Sequence, residues 1–361
     1  MNGAGIVLWA QERTANLGVA ALAAGTRRLG NSAWPDMTLT TQYFADGTAP
    51  ATIASPKLLL KDLVLDNVGL RRWLRQHAVA LDTRMGDSFA DIYGLHRLRN
   101  LVAMGEFARR SGIPLVLTPQ TIGPFKTRQG RLLGALSVRR ADLVLCRDPV
   151  SAEVASDLGC KNPILATDVV FALDTPPPQG SYDVLVNVSG LLWNTDSHGP
   201  STDYRSIVRT VVDALRRAGR EVTLLAHVLD APTVDNDVPV VRALGKEWNL
   251  QVAIPSGLDQ VRSILGGAQL LIGSRMHACL NSLSVGTPAI ALAYSRKFAP
   301  LLTQLKWPGV VALSSPQAAE QAVELALRGD LAALVPRTRR LADEALGAAT
   351  AALRDLPLRK S

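Results

Sequence analysis

The sequence predicts an α/β protein of two doubly wound domains facing a cleft, and three observations carry that prediction. The chain has 361 residues, 47% of them hydrophobic, too many for one core and about right for two α/β domains of ordinary size. Short β-branched runs alternate with longer Ala-, Leu- and Arg-rich runs of helical period, the pattern of βα units around a parallel sheet. A proline-rich stretch, Asp174 to Ser181, interrupts the alternation near the middle of the chain, and the pattern restarts after it.

In chain order, Ile6-Val7-Leu8-Trp9 reads as the first strand and 19–29 as the helix behind it. Ile113 to Thr118 and 127–140 form the next clear pair, followed by Leu143-Val144-Leu145 and 149–158, where Pro149 and Ser151 open the helix. These elements make a first domain over 1–174, closed by a semi-rigid linker over 175–182. A second domain, 183–335, starts with the strand Asp183 to Val188. Helices at 203–218, 236–248, 258–266 and 276–285 alternate there with strands at Glu221 to Ala226, 251–254, 269–272 and 288–293. Helical periodicity runs from Pro316 to about Leu353, so that 336–361 is a terminal helix with a frayed tail from Pro357.

Composition narrows the functional classes. The formal net charge is +8, which favours an anionic partner: a phosphorylated substrate, a phospholipid surface or nucleic acid. Nucleic acid is disfavoured, because only 5% of residues are aromatic and the arginines are dispersed along helices. Cys146, Cys160 and Cys279 have no paired spacing, which argues against a disulfide framework and a zinc knuckle and for a reducing compartment. No leader pattern opens the chain and no apolar run reaches the roughly 18 residues of a membrane span. The expectation is a soluble, cytoplasmic protein.

The segment with most chemistry is Leu271-Ile272-Gly273-Ser274-Arg275-Met276-His277-Ala278. An apolar strand ends in a glycine turn and a helix begins at once, the place where an open α/β sheet binds anions. Arg275 offers a planar fork for carboxylate or phosphate, and His277 can move a proton near neutral pH. The next strand ends at Ala293-Tyr294, and its turn adds Arg296 and Lys297. A capped, solvated helix end is the plainer reading, but polar and cationic residues at two strand ends favour a site.

Other strand ends are more ambiguous. Arg147, in Cys146-Arg147-Asp148-Pro149, either reaches the cleft or forms a surface pair with Asp148 beside a helix cap. Gln120 and Thr121, in the turn before Gly123-Pro124, either contact a ligand or simply make the turn. Asn16 and Gly18, between the first strand and its helix, could bring backbone N–H groups to a substrate. His227 ends a strand and could face the cleft. Asp230, Asp235 and Asp237 read as loop and helix-capping acids; they could hold magnesium, but no second acidic cluster completes a site. His77, His96 and His198 read as surface residues.

These pieces resemble the polysaccharide pyruvyl transferase family. Its carboxy-terminal signature is matched by Gly273-Ser274-Arg275-Met276-His277, then Gly286-Thr287-Pro288 and Tyr294-Ser295-Arg296-Lys297. Gln120-Thr121-Ile122-Gly123-Pro124-Phe125, Arg147-Asp148 with Ser151 and Gly159, and Thr167-Asp168 with Phe171 follow the family order, so the likeness runs from about 10 to 300. The chain departs from the pattern at Val19, where the family usually has an acid, and at Arg84-Met85-Gly86-Asp87-Ser88-Phe89, where it has a glycine-rich strand end.

The resemblance implies two Rossmann-like domains as in the GT-B glycosyltransferases. It implies transfer of pyruvate from phosphoenolpyruvate to a sugar of a cell-surface polysaccharide or its lipid-linked precursor, as a ketal, with no cofactor and no metal. His277 would be the general acid, with Arg275 beside it in the chemistry. Arg275, Lys297, Arg147, Ser274 and Tyr294 would hold the donor, while Asn16, Gly18, Asp87, Gln120, Thr121 and His227 would lie toward the acceptor or cleft. A lipid-linked acceptor would place the protein peripherally at the inner membrane face. The departures leave the acceptor sugar open. They also leave open a nucleotide-sugar glycosyltransferase or an inactive sugar-binding or regulatory protein on the same fold.

Overall fold

A computed structural model describes residues 3–359, so the last two residues of the expected tail lie outside the described residues. The chain forms two compact units. The first comprises the residues up to Glu12, Leu22–Ala172 and the chain from Ala342 on, and the second comprises Arg13–Ala21 and Leu173–Leu341.

Two segments thus fall outside the limits read from the sequence. Arg13–Ala21 groups with the second unit because its backbone is tied to a loop there: Leu17 N–H donates to His227 O at 3.3 Å and Leu229 N–H to Ala15 O at 2.7 Å. The terminal segment groups with the first unit because Leu346, Ala349, Leu353 and Leu356 are buried in that unit's core.

In the first part of the chain the elements are β1 (Ala4–Leu8), α1 (Leu17–Ala33), β2 (Thr38–Gln42), α2 (Pro56–Leu65), α3 (Leu70–Leu74) and β3 (Ala80–Asp82). They continue with α4 (Leu95–Arg110), β4 (Leu115–Gln120), α5 (Arg128–Arg140), β5 (Leu143–Cys146), α6 (Pro149–Asp157) and β6 (Ile164–Leu165). All six strands run parallel in the order β2-β1-β3-β4-β5-β6. Successive side chains of a strand point to opposite faces, and both faces here are covered. Ile6 and Leu8 of β1 join one apolar cluster with Leu115 and Leu117, whereas Val7 joins the other with Val116 and Leu145. That double burial explains why these strands read as unbroken apolar runs.

The second unit contains β7 (Tyr182–Asn187), α7 (Gly190–Asn194), α8 (Ser201–Arg217), β8 (Val222–Leu225), α9 (Val238–Trp248), β9 (Gln251–Ala253) and α10 (Leu258–Gly266). β10 (Ala268–Gly273), α11 (Met276–Val285), β11 (Ala289–Ala293), α12 (Phe298–Gln304), β12 (Val310–Ala312) and α13 (Ala318–Arg328) follow, and α14 (Val335–Arg354) leads back to the first unit. The parallel order is β12-β11-β10-β7-β8-β9. Helix α8 shows how the sheet is covered: Val208, Val211, Val212 and Leu215, spaced as one helical stripe, are all buried.

Two sequence expectations are corrected here. His77 is buried, 5.3 Å from the Trp73 ring in an edge-on pair, with Nδ1 3.3 Å from Leu74 O. The long helical stretch after Pro316 is two helices, because the chain turns out of helix at Gly329 and Asp330. Among the described residues no helix is long and apolar enough to cross a membrane.

Candidate active site

In the second unit the strand order reverses between β7 and β10, whose ends pair Asn187 with Gly273. At such a switch point the two neighbouring loops diverge and leave room beyond the carboxyl ends of the strands, where helix N-termini offer N–H groups. Ser274, Arg275 and His277 follow β10 at this place.

The Arg275 side chain is not loose. Nη1 donates to Asp235 Oδ1 at 2.6 Å, Nη2 to Asp237 Oδ1 at 2.6 Å, and Nη2 also to the Asp235 carbonyl. Burial opposes its charge, but Asp237 and Asp235 outweigh burial and hold its pKa above the ordinary value. Nε is buried with no hydrogen-bond partner and so is left to donate.

Asp237 is fully buried and joins three strand ends. Besides Arg275 it accepts the N–H of Gly190 at 2.8 Å, of His227 at 3.0 Å and of Val228 at 2.9 Å, with Asn187 Nδ2 at 3.4 Å. It does not cap its own helix α9, correcting the capping role read from sequence. Gly190 fits only because it lacks a side chain: a Cβ there would come within 2.0 Å of Asn236 O. Asn187 completes the frame, accepting the Arg275 N–H at 3.0 Å and donating to Leu225 O at 3.0 Å.

His227 and His277 meet in the same region. The fully buried His227 ring has its pKa pushed down to about 3, first by burial and then by the nearby His277 and Arg275, so it is neutral at physiological pH. Asn281 connects the pair, donating to His277 O at 2.8 Å and lying 3.4 Å from His227 Nε2. Asn281 is itself held by Arg262, which also grips the carbonyls of Leu173 and Asp174.

Asn16 and Gly18 arrive here too, from the segment that joins the second unit. The Asn16 carboxamide caps α1 by accepting Gly18 N–H at 3.0 Å. A Cβ on Gly18 would stand 2.9 Å from His277 Nδ1, so the missing side chain lets the helix start lie against the imidazole.

Ser274 is buried and accepts the Tyr204 hydroxyl at 2.7 Å, while Tyr204 accepts Ser189 N–H at 2.9 Å. Burial raises the Tyr204 pKa to about 12, so the phenol stays protonated. Tyr204 also lines an open pocket of about 870 Å³ with His198, Tyr294, Arg296, Ser315 and Glu320. The rings of His198 and Tyr294 lie 4.7 Å apart, and Lys297, beside them, adds to burial in lowering the His198 pKa. Tyr294, Arg296 and Lys297 therefore gather around His198, and the Tyr204 to Ser274 bond joins their pocket to the Arg275 frame.

The remaining sequence candidates lie in the first unit. Arg147 is buried and donates to Asp168 at 3.2 Å and to the Thr121 hydroxyl, leaving Nε without a partner. The surface pair with Asp148 does not form, because Asp148 caps α6 through Ser151 N–H at 2.8 Å. Gln120 is fully buried and neither end of its amide has a hydrogen-bond partner. Thr121 N–H donates to Gly86 O at 2.9 Å, bringing the end of β4 to the turn that holds Asp87. In that turn Arg84 and Met85 have φ of 48° and 57°, the left-handed region disfavoured for side chains with a Cβ. Arg84 is buried against Asp82 at 2.7 Å and over the Phe89 ring at 4.7 Å.

Sequence reasoning missed Asn187, Asp237, Tyr204 and Asn281 as parts of the site. The available signals were a polar residue ending an apolar strand, Val-Leu-Val-Asn, and an acid before the Val-Pro start of α9. Among the described residues no cluster of three or more His, Cys, Asp or Glu is placed to hold a metal ion. Asp235 and Asp237 instead serve Arg275, and Asp230 accepts Asn236 Nδ2 at 2.9 Å.

Comparisons with known proteins agree with this picture. The chain is 11% identical to a putative UDP-N-acetylglucosamine 2-epimerase from Listeria monocytogenes, with a TM-score of 0.62 over 98% of both chains. HepE from Anabaena, solved with UDP and glucose, gives 0.54 at 11% identity over 98% of this chain and 97% of its own. These likenesses show the fold, two doubly wound units of the GT-B kind. Amylovoran biosynthesis protein AmsJ of Erwinia amylovora is 24% identical over 247 residues, 62% of this chain and 58% of AmsJ. The match thus spans a little over half of that relative. The sequence model of polysaccharide pyruvyl transferases covers residues 16–296, from the Asn16 cap to Arg296, and on that match the chain belongs to the polysaccharide pyruvyl transferase family.

Proposed function

We propose that the protein transfers pyruvate from phosphoenolpyruvate to two hydroxyls of one sugar in a cell-surface polysaccharide or its lipid-linked precursor, making a ketal. The observation that carries this reading is the buried Arg275, fixed by Asp237 at the switch point and followed two residues later by His277. A fixed cation next to an imidazole suits an anion whose carbon must be protonated.

The chemistry assigns work to each group. His277 delivers a proton to the methylene carbon as the first sugar hydroxyl adds at the neighbouring carbon, and the proton that this hydroxyl gives up returns to the imidazole. Phosphate then leaves, the second hydroxyl closes the ring, and its proton departs with the phosphate. Arg275 Nε faces the negative charge that grows on the leaving group, with Lys297 as a second cation. Neutral His227 adds no competing positive charge behind His277. The first unit, with Asp87, Gln120 and Thr121 gathered at strand ends, takes the sugar. The reaction as written needs no metal ion and no cofactor.

Thermal shift with phosphoenolpyruvate against UDP- and GDP-sugars tests the donor. We expect phosphoenolpyruvate to raise Tm in the native protein and not in Arg275→Ala. Stabilisation by nucleotide sugars alone would sink the proposal. With a crude lipid-saccharide fraction, phosphate release from phosphoenolpyruvate should disappear in a folded His277→Ala variant.

A further inference from the structure

The outward face of α2 is apolar and basic, and the chain leaves it uncovered. Inward, Leu59 enters the core of the first unit, and the fully buried Asp62 accepts the N–H groups of Val68, Gly69 and Arg71. With about 100° of turn per residue, the opposite face collects Lys57, Leu60, Lys61, Val64 and Leu65. All five are exposed, Leu60 by 63%, Val64 by 75% and Leu65 by 60%. One exposed leucine needs no explanation. Three large apolar side chains on one helix face, with two lysines among them, form a patch of defined chemistry.

Its charge is of one sign. Residues 51–75 hold two acids, the buried Asp62 and Asp66 at the end of α2, and Asp66 is paired with Arg72 at 3.2 Å. The helix is also preformed. The Ser55 hydroxyl accepts Leu58 N–H at 3.3 Å, Pro56 sits in the first turn, and Asp66 ends the helix through its N–H to Asp62 O at 2.9 Å. A helix already capped at both ends loses little conformational freedom on binding.

We infer that this face of α2 seats on an anionic lipid surface. Leu60, Val64 and Leu65 enter the boundary between headgroups and acyl chains, while the Lys57 and Lys61 stems lie along the apolar contact and carry their ammonium groups to lipid phosphates. A second copy of this chain is a poor occupant, because a two-fold contact would bring Lys57 and Lys61 of both copies into one small interface whose exposed α2 face carries no acid to pair them. The bound state is peripheral and reversible, as one short helix with three apolar side chains requires. This inference does not depend on the reaction proposed above, and its test needs no substrate.

The full chain is sedimented with vesicles of phosphatidylethanolamine and phosphatidylglycerol and, in parallel, with vesicles of phosphatidylcholine. Binding is expected with the anionic vesicles only and should weaken as NaCl is raised. L60S/V64S/L65S and K57E/K61E should each lower the bound fraction about tenfold, with unchanged melting curves because the altered side chains are exposed. Indifference of the native protein to anionic vesicles overturns the inference, as does native-like binding by both variants. A concentration-dependent dimer that L60S/V64S/L65S abolishes would assign the face to self-association instead and also overturn it.

Discussion

Arg275 would be a poor anion receptor if its charge were wholly spent on its neighbours, and the two aspartates differ in this respect. Asp237 is sealed and accepts four other groups, whereas the Asp235 side chain remains 32% exposed on a loop. We expect Asp235→Asn to tighten phosphoenolpyruvate binding several-fold, because a displaceable competitor for the guanidinium is weakened; calorimetry showing unchanged or weaker affinity would refute that role. Asp237→Ala takes from Arg275 its buried partner, leaving the partly exposed Asp235, and strands several N–H groups, and should cost about 3–5 kcal/mol in urea unfolding. His227 gives a pH signature. Its folded pKa of about 3 lies below the ordinary 6.5, so the unfolded chain binds the proton first. Stability should fall as pH drops through that window, by up to about 1.4 kcal/mol per pH unit. Urea midpoints from pH 7 to 5 should decline less steeply in a folded His227→Gln variant than in the native protein. Arg275 and His227 were legible as strand-end residues, but the aspartates that fix Arg275 were not. An acid before a helix reads locally as a cap, while the partners of Asp237 at Gly190 and Arg275 come from distant strand ends.

Elements were legible where a strand is buried on both faces and its helix is long. β7, α8, β10 and α11 stand close to where their apolar periodicity puts them. β2, β3, β6 and β12 escaped notice, since strands of two to five residues leave too few positions for a period to show. The start of α1 shows an element serving the site. On helix propensity alone, Gly18→Ala should stabilise by up to about 1 kcal/mol. The Cβ would press on the His277 ring, however, so we expect a lower turnover number with an unchanged or higher Tm. Native turnover in Gly18→Ala would show that this contact does not hold the imidazole in place. In the 84–88 turn Arg84 and Met85, ahead of Gly86, hold left-handed backbone despite their side chains, and the buried Asp82 to Arg84 pair is the visible anchor. Asp82→Ala should therefore destabilise the protein by about 3–5 kcal/mol by thermal or urea melting.

At the scale of the molecule the two-domain reading rested on length and on one proline-rich stretch, and neither could show that the chain returns. Helix α14 reads as an amphipathic tail, because a periodic stripe reveals that a helix is buried but not against which unit. Ending the chain at Leu341 should expose the seats of Leu346, Leu353 and Leu356 and lower Tm by several degrees or more. A truncated chain that melts like the full one would show that α14 adds nothing to the first unit. The same return has a consequence for biosynthesis. A ribosome releases the chain from its amino end, so the first sheet emerges early yet lacks part of its covering until the final helix is made. The second unit can close while the nascent first unit keeps apolar surface exposed from the completion of its sheet at Leu165 until α14 has emerged.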